Sequence, residues 1–273
     1  MRHKAWRWLL ASRWLFGLGA LAGAGALVLG QLGPAAASPA TAGRSVSSAR
    51  AAAAARAAAS AQAAIYHPPG KVLSLGMHGA AVRNLQRRLA ALHYYPGPVD
   101  GQFGLDTLEA VWAFKEVQGL PVDAANQDLV SVIVERHLIH PRAPRVLVPH
   151  GGSMRIEVNM NNETLVLYDH NKVELISHVS TGAGCLPGQG CGWITPTGNY
   201  KTIWYYNGWI HVPLGEMYNP VFFIGSAYAI HGELNTSVPW YPDSHGCVRI
   251  PYDIATFFHK LVKVPGTPVY IRG

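Results

Sequence analysis

The segment Ile230-His231-Gly232-Glu233-Leu234-Asn235-Thr236-Ser237-Val238-Pro239-Trp240-Tyr241-Pro242-Asp243-Ser244-His245-Gly246-Cys247-Val248-Arg249 carries two clusters, with twelve residues between His231 and Ser244. Thiolate chemistry requires a cysteine, a base able to ionise it, and donors for a developing oxyanion. Histidine is the side chain that titrates near neutrality, and a glycine beside each cluster permits close substrate approach and unusual backbone angles. The residue types alone leave two readings open: a Cys–His nucleophilic site, or a buried apolar thiol beside structural histidines. Of the two histidines, His245 is nearer to Cys247 in sequence. Two residues apart on a strand, however, means roughly 6–7 Å along the chain, beyond the about 3 Å of a hydrogen bond. His231, ending a different strand, can approach the sulfur from the side, which makes it the expected base. The carbonyl of Gly232 is then at hand to fix its ring tautomer.

The sequence around these clusters reads mostly as strand. Met154, Ile156, Val158 and Met160 alternate with Arg155, Glu157 and Asn159, the pattern of a half-buried strand. Further strands are predicted at Thr164–Tyr168, Val173–Ser180, Tyr200–Tyr205, Val221–Ile224, Ala227–His231 and Thr267–Ile271. One helix is predicted from Tyr252 to Lys263, with Ile254, Phe257, Phe258 and Leu261 inward. Residues 153–273 therefore read as a mostly-β domain of sandwich or barrel type with one main helix.

Residues 71–140 have a different period. Val82, Leu85, Leu89 and Leu92 recur at helical spacing. Pro96, Gly97, Pro98 and Gly101 then break the chain. A second helix is expected with Asp106 as N-cap and Glu109 three residues later, burying Leu108, Val111 and Phe114. A third is expected from Ala125 to about Leu138, with Leu129 and Ile133 inward. The predicted architecture is a multidomain α+β chain: a small three-helix module, then the β domain.

The 273-residue chain carries a net charge of +7, but unevenly. Of its 22 Lys and Arg, 11 precede Asp100, the first acidic residue; the other 11 face all 15 acids, a net of −4 beyond that point. The basicity belongs to the N-terminal third and does not argue for nucleic-acid binding. With 8 Trp, 12 Tyr and 7 Phe, wholesale disorder is excluded. One long uncharged apolar run, Trp14–Gly30, excludes a multispan membrane protein. It follows Arg2, Lys4, Arg7 and Arg13 and precedes Ala35-Ala36-Ala37, the order of a secretory signal or an uncleaved anchor, over residues 1–37. Both versions place the rest outside the cytoplasm, with N-terminal membrane contact if the signal is uncleaved. Residues 38–70 read as an Ala-rich linker.

Two resemblances go further. Leu75-Gly76, the Val82/Leu85-Gln86 helix, Pro98-Val99-Asp100-Gly101-Gln102-Phe103-Gly104 and Thr107…Ala110-Val111…Phe114 resemble the peptidoglycan-binding domain of bacterial wall enzymes. Trp112 and Lys115 depart from that pattern. His231-Gly232 and Ser244-His245-Gly246-Cys247-Val248-Arg249 resemble the signature of the L,D-transpeptidase catalytic domain. Ser180-Thr181-Gly182, Thr195-Pro196-Thr197-Gly198-Asn199-Tyr200 and Gly266-Thr267-Pro268-Val269-Tyr270 support the match over about residues 153–271. Glu233, Val238–Pro242 and the aromatic Trp204–Gly215 region differ from the family pattern.

This resemblance implies that Cys247 attacks a peptidoglycan stem peptide, releases terminal D-Ala and passes the acyl group to the amine of another stem. It also implies that carbapenems acylate Cys247. His231 would be the base, oriented by Gly232, with backbone N–H groups around His245, Gly246 and Cys247 holding the oxyanion. Ser244 and Arg249 would brace loop and substrate, and no metal or organic cofactor is implied. Cys185 and Cys191 lie in a glycine-rich loop. A disulfide is favoured there over free thiols or a zinc site, because the compartment is oxidising and no metal-type spacing appears.

Overall fold

The computed structural model describes residues 66–233 and 238–273. The apolar run Trp14–Gly30 and most of the Ala-rich segment lie outside the described residues. No described helix is long and apolar enough to cross a membrane.

The chain first forms β1 (Leu73–Ser74), α1 (Ala80–Ala91), α2 (Leu105–Gln118), β2 (Leu129–Val130) and α3 (Val132–Ile139). Val82, Leu85 and Leu89 bury one face of α1 because residues three and four apart share a face. Helix α2 begins one residue before Asp106, at Leu105, behind Gly104, and makes no side-chain cap bond. Asp106 therefore sits in the first turn, where an acid still favours the helix dipole. The third helix is shorter than expected: Leu129 and Val130 pair antiparallel with Ser74 and Leu73 instead. The shift rotates the buried face, so Ile133 is 59% exposed while Val134 and Leu138 are buried.

The β domain holds two five-stranded sheets. One is ordered β5 (Lys172–His178), β4 (Thr164–Asp169), β3 (Arg155–Asn159), β14 (Pro268–Arg272), β8 (Gly198–Lys201). The other is ordered β10 (Trp209–Val212), β11 (Gly215–Ile224), β12 (Tyr228–Gly232), β13 (Val248–Arg249), with β9 (Trp204–Tyr205) also on β11. Their inner faces meet in one core with α4 (Tyr252–Leu261), where Ile156, Leu165, Phe223, Ile230, Ile254 and Phe258 are all buried. The predicted strand Tyr200–Tyr205 is two strands, β8 and β9, in different sheets. A small hairpin, β6 (Gly184–Leu186) and β7 (Gly190–Trp193), stands apart.

Strand β3 is buried on both faces, not one. Arg155 and Glu157 are closed off and paired at 2.6 Å, the carboxylate also accepting from Leu147 N at 2.6 Å and the guanidinium stacking 3.8 Å over the Tyr168 ring. A buried charge pair persists only when its remaining polar positions are satisfied, and the proline-rich connector supplies those partners. The helices likewise share a core with the sheet: Phe114, Trp112 and Leu89 join Val166, Tyr168 and Ile176 in one cluster. This accounts for the two unusual residues of α2. Trp112 Nε1 donates to Gln127 O (2.7 Å) and its ring meets His178 edge-on at 5.3 Å. Lys115 is buried and donates to Asn126 O at 2.5 Å.

Candidate active site

Strands β12 and β13 are the parallel pair of their sheet, with Ile230 opposite Val248 and His231 opposite Arg249. Alternation along a strand puts Cys247 on the same face as Arg249, hence on the face of His231. Their side chains open into a cavity of about 300 Å³, also lined by Glu233, Ser244, His245 and the Val212–Met217 turn. Of the aromatic-rich stretch Trp204–Gly215, only its last residues reach this cleft.

His231 is buried, and its Nδ1 lies 2.8 Å from Gly232 O. A carbonyl only accepts, so Nδ1 carries the proton and Nε2 presents its lone pair. Burial, helped by the Arg249 charge, outweighs the Gly232 bond and lowers the imidazole to about 4. The ring is therefore neutral at pH 7. Burial raises the Cys247 thiol, against the smaller pull of the Ala229 backbone bond and the Arg249 charge. Its Sγ lies 3.8 Å from Ala227 O. The resting cleft thus holds a neutral thiol and a neutral imidazole.

The two glycines serve different purposes. A Cβ on Gly232 would lie 2.6 Å from Ala255 Cβ, so glycine there lets α4 approach the strand rather than making room for substrate. Gly246 has φ +122°, and a Cβ would meet the Tyr228 ring at 2.7 Å. Both conditions require glycine.

Ser244 ties the cysteine turn together. Its Oγ donates to Cys247 O (2.6 Å) and accepts from Gly246 N (3.0 Å), and its backbone exchanges bonds with Thr181 O and Ala183 N. Thr195 Oγ1 holds the Gly246 carbonyl at 2.8 Å and accepts from Gly182 N at 2.9 Å. Arg249 faces the cleft only in part: its Nε pairs with Glu233 (2.7 Å), and its Nη1 reaches Asp243 O at 3.0 Å and Oδ2 at 3.4 Å. His245 stands away from this ladder, its Nε2 2.6 Å from Gln189 Oε1 and its ring edge-on to Trp193 at 4.7 Å. Gln189 and Trp193 belong to the β6–β7 hairpin, which a Cys185–Cys191 disulfide crosses with Cα atoms 3.9 Å apart. Among the described residues Cys247 is the free cysteine, and no His, Cys, Asp or Glu cluster suits a metal ion.

Sequence reasoning did not single out Gln189, Glu233 or Asp243 as partners of the site. The Thr181 and Thr195 stretches did stand out there, as parts of the family pattern.

Residues 153–271 match the model of the L,D-transpeptidase catalytic domain, and residues 78–124 match a putative peptidoglycan binding domain. No curated protein matches the chain. Among solved structures, an L,D-transpeptidase (residues 123–326) from Xylanimonas cellulosilytica is 29% identical, with TM-score 0.66, across 76% of this chain and all of that one. An L,D-transpeptidase from Mycobacterium smegmatis is 17% identical with TM-score 0.37, over 44% of this chain and 59% of its own. L,D-transpeptidase 3 from Mycobacterium tuberculosis, in complex with a faropenem-derived adduct, is 13% identical with TM-score 0.37, over 44% and 60%. The chain carries an L,D-transpeptidase catalytic domain preceded by a peptidoglycan-binding domain.

Proposed function

We propose that the protein is an extracytoplasmic wall enzyme in which Cys247 forms a thioester with a peptidoglycan stem peptide and passes it to the amine of a second stem. The observation that carries this reading is the His231 Nδ1–Gly232 O bond, which leaves Nε2 unprotonated on the face of the cleft that Cys247 shares. As Sγ attacks the carbonyl of the third stem residue, its proton moves to His231 Nε2. That proton then goes to the departing D-Ala nitrogen as the peptide bond breaks, leaving the thioester and free D-Ala. The side-chain amine of another stem next attacks the thioester, loses a proton to His231, and regenerates the thiol with a crosslink between two third-position residues. Water in place of the amine turns the same site into an L,D-carboxypeptidase.

The Gly246 N–H is already given to Ser244 Oγ, so oxyanion stabilisation falls to the amides on either side, of His245 and Cys247. Ser244 and Arg249 act as braces, since their polar atoms engage the protein itself. Carbapenems, whose strained carbonyl presents the same electrophile, acylate Cys247 in this scheme.

Incubating the protein with purified disaccharide-tetrapeptides and reading the products by mass tests the reading. Dimers with loss of D-Ala support transfer, and tripeptides alone reassign the site to hydrolysis. Unchanged substrate with an unmodified Cys247 removes the catalytic reading in favour of a wall-binding protein.

A further inference from the structure

Between the two motif clusters, Val238–Asp243 forms a strap that helix α2 of the N-terminal module grips directly. Glu109 is buried and its Oε1 accepts from Val238 N at 2.7 Å. Glu116 Oε1 lies 2.8 Å from His178 Nδ1, and His178 Nε2 lies 2.9 Å from Pro239 O. Trp240 packs partly buried against the core that contains α2. Farther along, Ser180 Oγ donates to Tyr241 O at 2.7 Å and accepts from Asp243 N at 3.0 Å. The strap then delivers the chain to Ser244, while Arg249 clasps Asp243 and Glu233, the residues at either end of the intervening segment.

We propose that α2 belongs to the catalytic apparatus: Glu109, and Glu116 acting through His178, are positioning residues that hold Val238–Asp243 and so set how tightly the cysteine cleft binds its donor stem. The inference rests on the acyl-transfer reading above.

The chemistry of the contacts supports it. A backbone N–H cut off from water must be paired, and Glu109 is what pairs Val238. Pro239 O can only accept, so His178 Nε2 must donate. If Nδ1 also donates to Glu116, the ring carries a proton on each nitrogen. Burial opposes that charge, but the Glu116 carboxylate and its hydrogen bond raise His178 to about 9. Burial raises Glu116 as well. With the pair's proton on the imidazole, Nδ1–H donates to the carboxylate; with it on the carboxyl, Glu116 donates to Nδ1. In both states Nε2–H donates to Pro239 O, so the chain of contacts is kept. The titratable groups facing His178 are Glu109 and Glu116 from α2 and Glu163 beside β4.

The test uses the full chain with Glu109→Leu and Glu109→Gln, measuring D-Ala release and amide hydrogen exchange over Val238–Tyr241. Glu109→Gln keeps an acceptor for Val238 N–H and stays within about twofold of wild type. Glu109→Leu orphans that N–H, raises KM about tenfold with kcat within about twofold, and speeds exchange at the strap. A second arm compares Glu116→Gln with Glu116→Leu. The Gln amide still bonds His178 Nδ1 and keeps KM and strap exchange near wild type, whereas Leu frees the ring to turn away from Pro239 and raises both. A Glu109→Leu protein with wild-type KM and wild-type exchange overturns the inference. If wild type itself releases no D-Ala and forms no acyl adduct, the reaction is misassigned, and the exchange data still decide whether α2 holds the strap.

Discussion

His231 and His245 come from the same short sequence signature, yet the structure holds them by opposite means. His231 ends an interior strand, is closed off from water, and has its tautomer set by its neighbour's carbonyl. His245 is partly exposed and leans on a glycine hairpin outside both large sheets, through Gln189 and Trp193. Burial fixes one histidine's protonation and position together. The other takes its position from a side-chain contact that a small loop supplies. A base needs the first kind of support; a residue that shapes or lines the cleft can live with the second.

The contrast breaks first at the sulfur. Cys247→Ala should abolish D-Ala release and every acyl adduct while circular dichroism and thermal melting stay at wild type. Turnover by that variant would move the nucleophile elsewhere. Next, His231→Gln should lower the acylation rate by about 10²–10⁴-fold, the usual contribution of a positioned base, as read by rapid-mixing mass spectrometry. The pH profile gives a sharper version. With His231 lowered to about 4, acylation should persist down to about pH 4 and fall below it, where the ring is protonated. An acid limb near the ordinary histidine value of about 6.5 would hand the base role to a different histidine. The same depression has a stability consequence of defined sign: stability from the neutral ring is complete above about 6.5 and is lost as pH falls through about 4.

How far this contrast could be read in advance follows from the same physics. Apolar alternation located β3, β4, β5, β12 and β14, because strands lining a core must repeat every two residues. It failed for β6, β7 and β10, where glycines, an exposed disulfide or the cleft rim replace core packing, and it ran Tyr200–Tyr205 together as one strand although the two halves join different sheets. Burial of Arg155 and Glu157 was hidden for a related reason. The segment covering them is a proline-rich connector with no periodicity of its own, so β3 looked half exposed. At the site, Cys247 and His231 stood out through residue type and spacing. Gln189 did not, since nothing local to a glycine loop says which side chain it will meet across the fold. Gly232 was noticed for its carbonyl, which does hold His231 Nδ1, but not for the close approach of the Ala255 methyl of α4 that its missing side chain permits.

That last point gives an intermediate effect. Gly232→Ala forces a methyl to within 2.6 Å of Ala255 Cβ, and overpacking of this kind costs roughly 1–3 kcal/mol. Chemical denaturation should show the loss, and the double variant Gly232→Ala/Ala255→Gly should recover most of it. Failure of that recovery would point to a need for the glycine backbone itself rather than for space.

The smallest effect belongs to the hairpin. If His245 is held only by Gln189 and Trp193, then Gln189→Ala removes one neutral side-chain hydrogen bond and should lower kcat/KM about threefold, with the pH profile unmoved because His231 is untouched. Reducing the Cys185–Cys191 bond should act on the same residue by the same route, since it loosens the hairpin that carries Gln189 without touching the β12–β13 ladder. Its effect should therefore be of similar size, and absent in the Gln189→Ala background, because two changes that work through one contact do not add. Alkylation without reductant should label Cys247 alone and, after reduction, all three cysteines. Should reduction instead cost activity equally with and without Gln189, the hairpin acts on the cleft by a path that does not run through His245, and the division between a buried base and a hairpin-held histidine would have to be redrawn around Trp193.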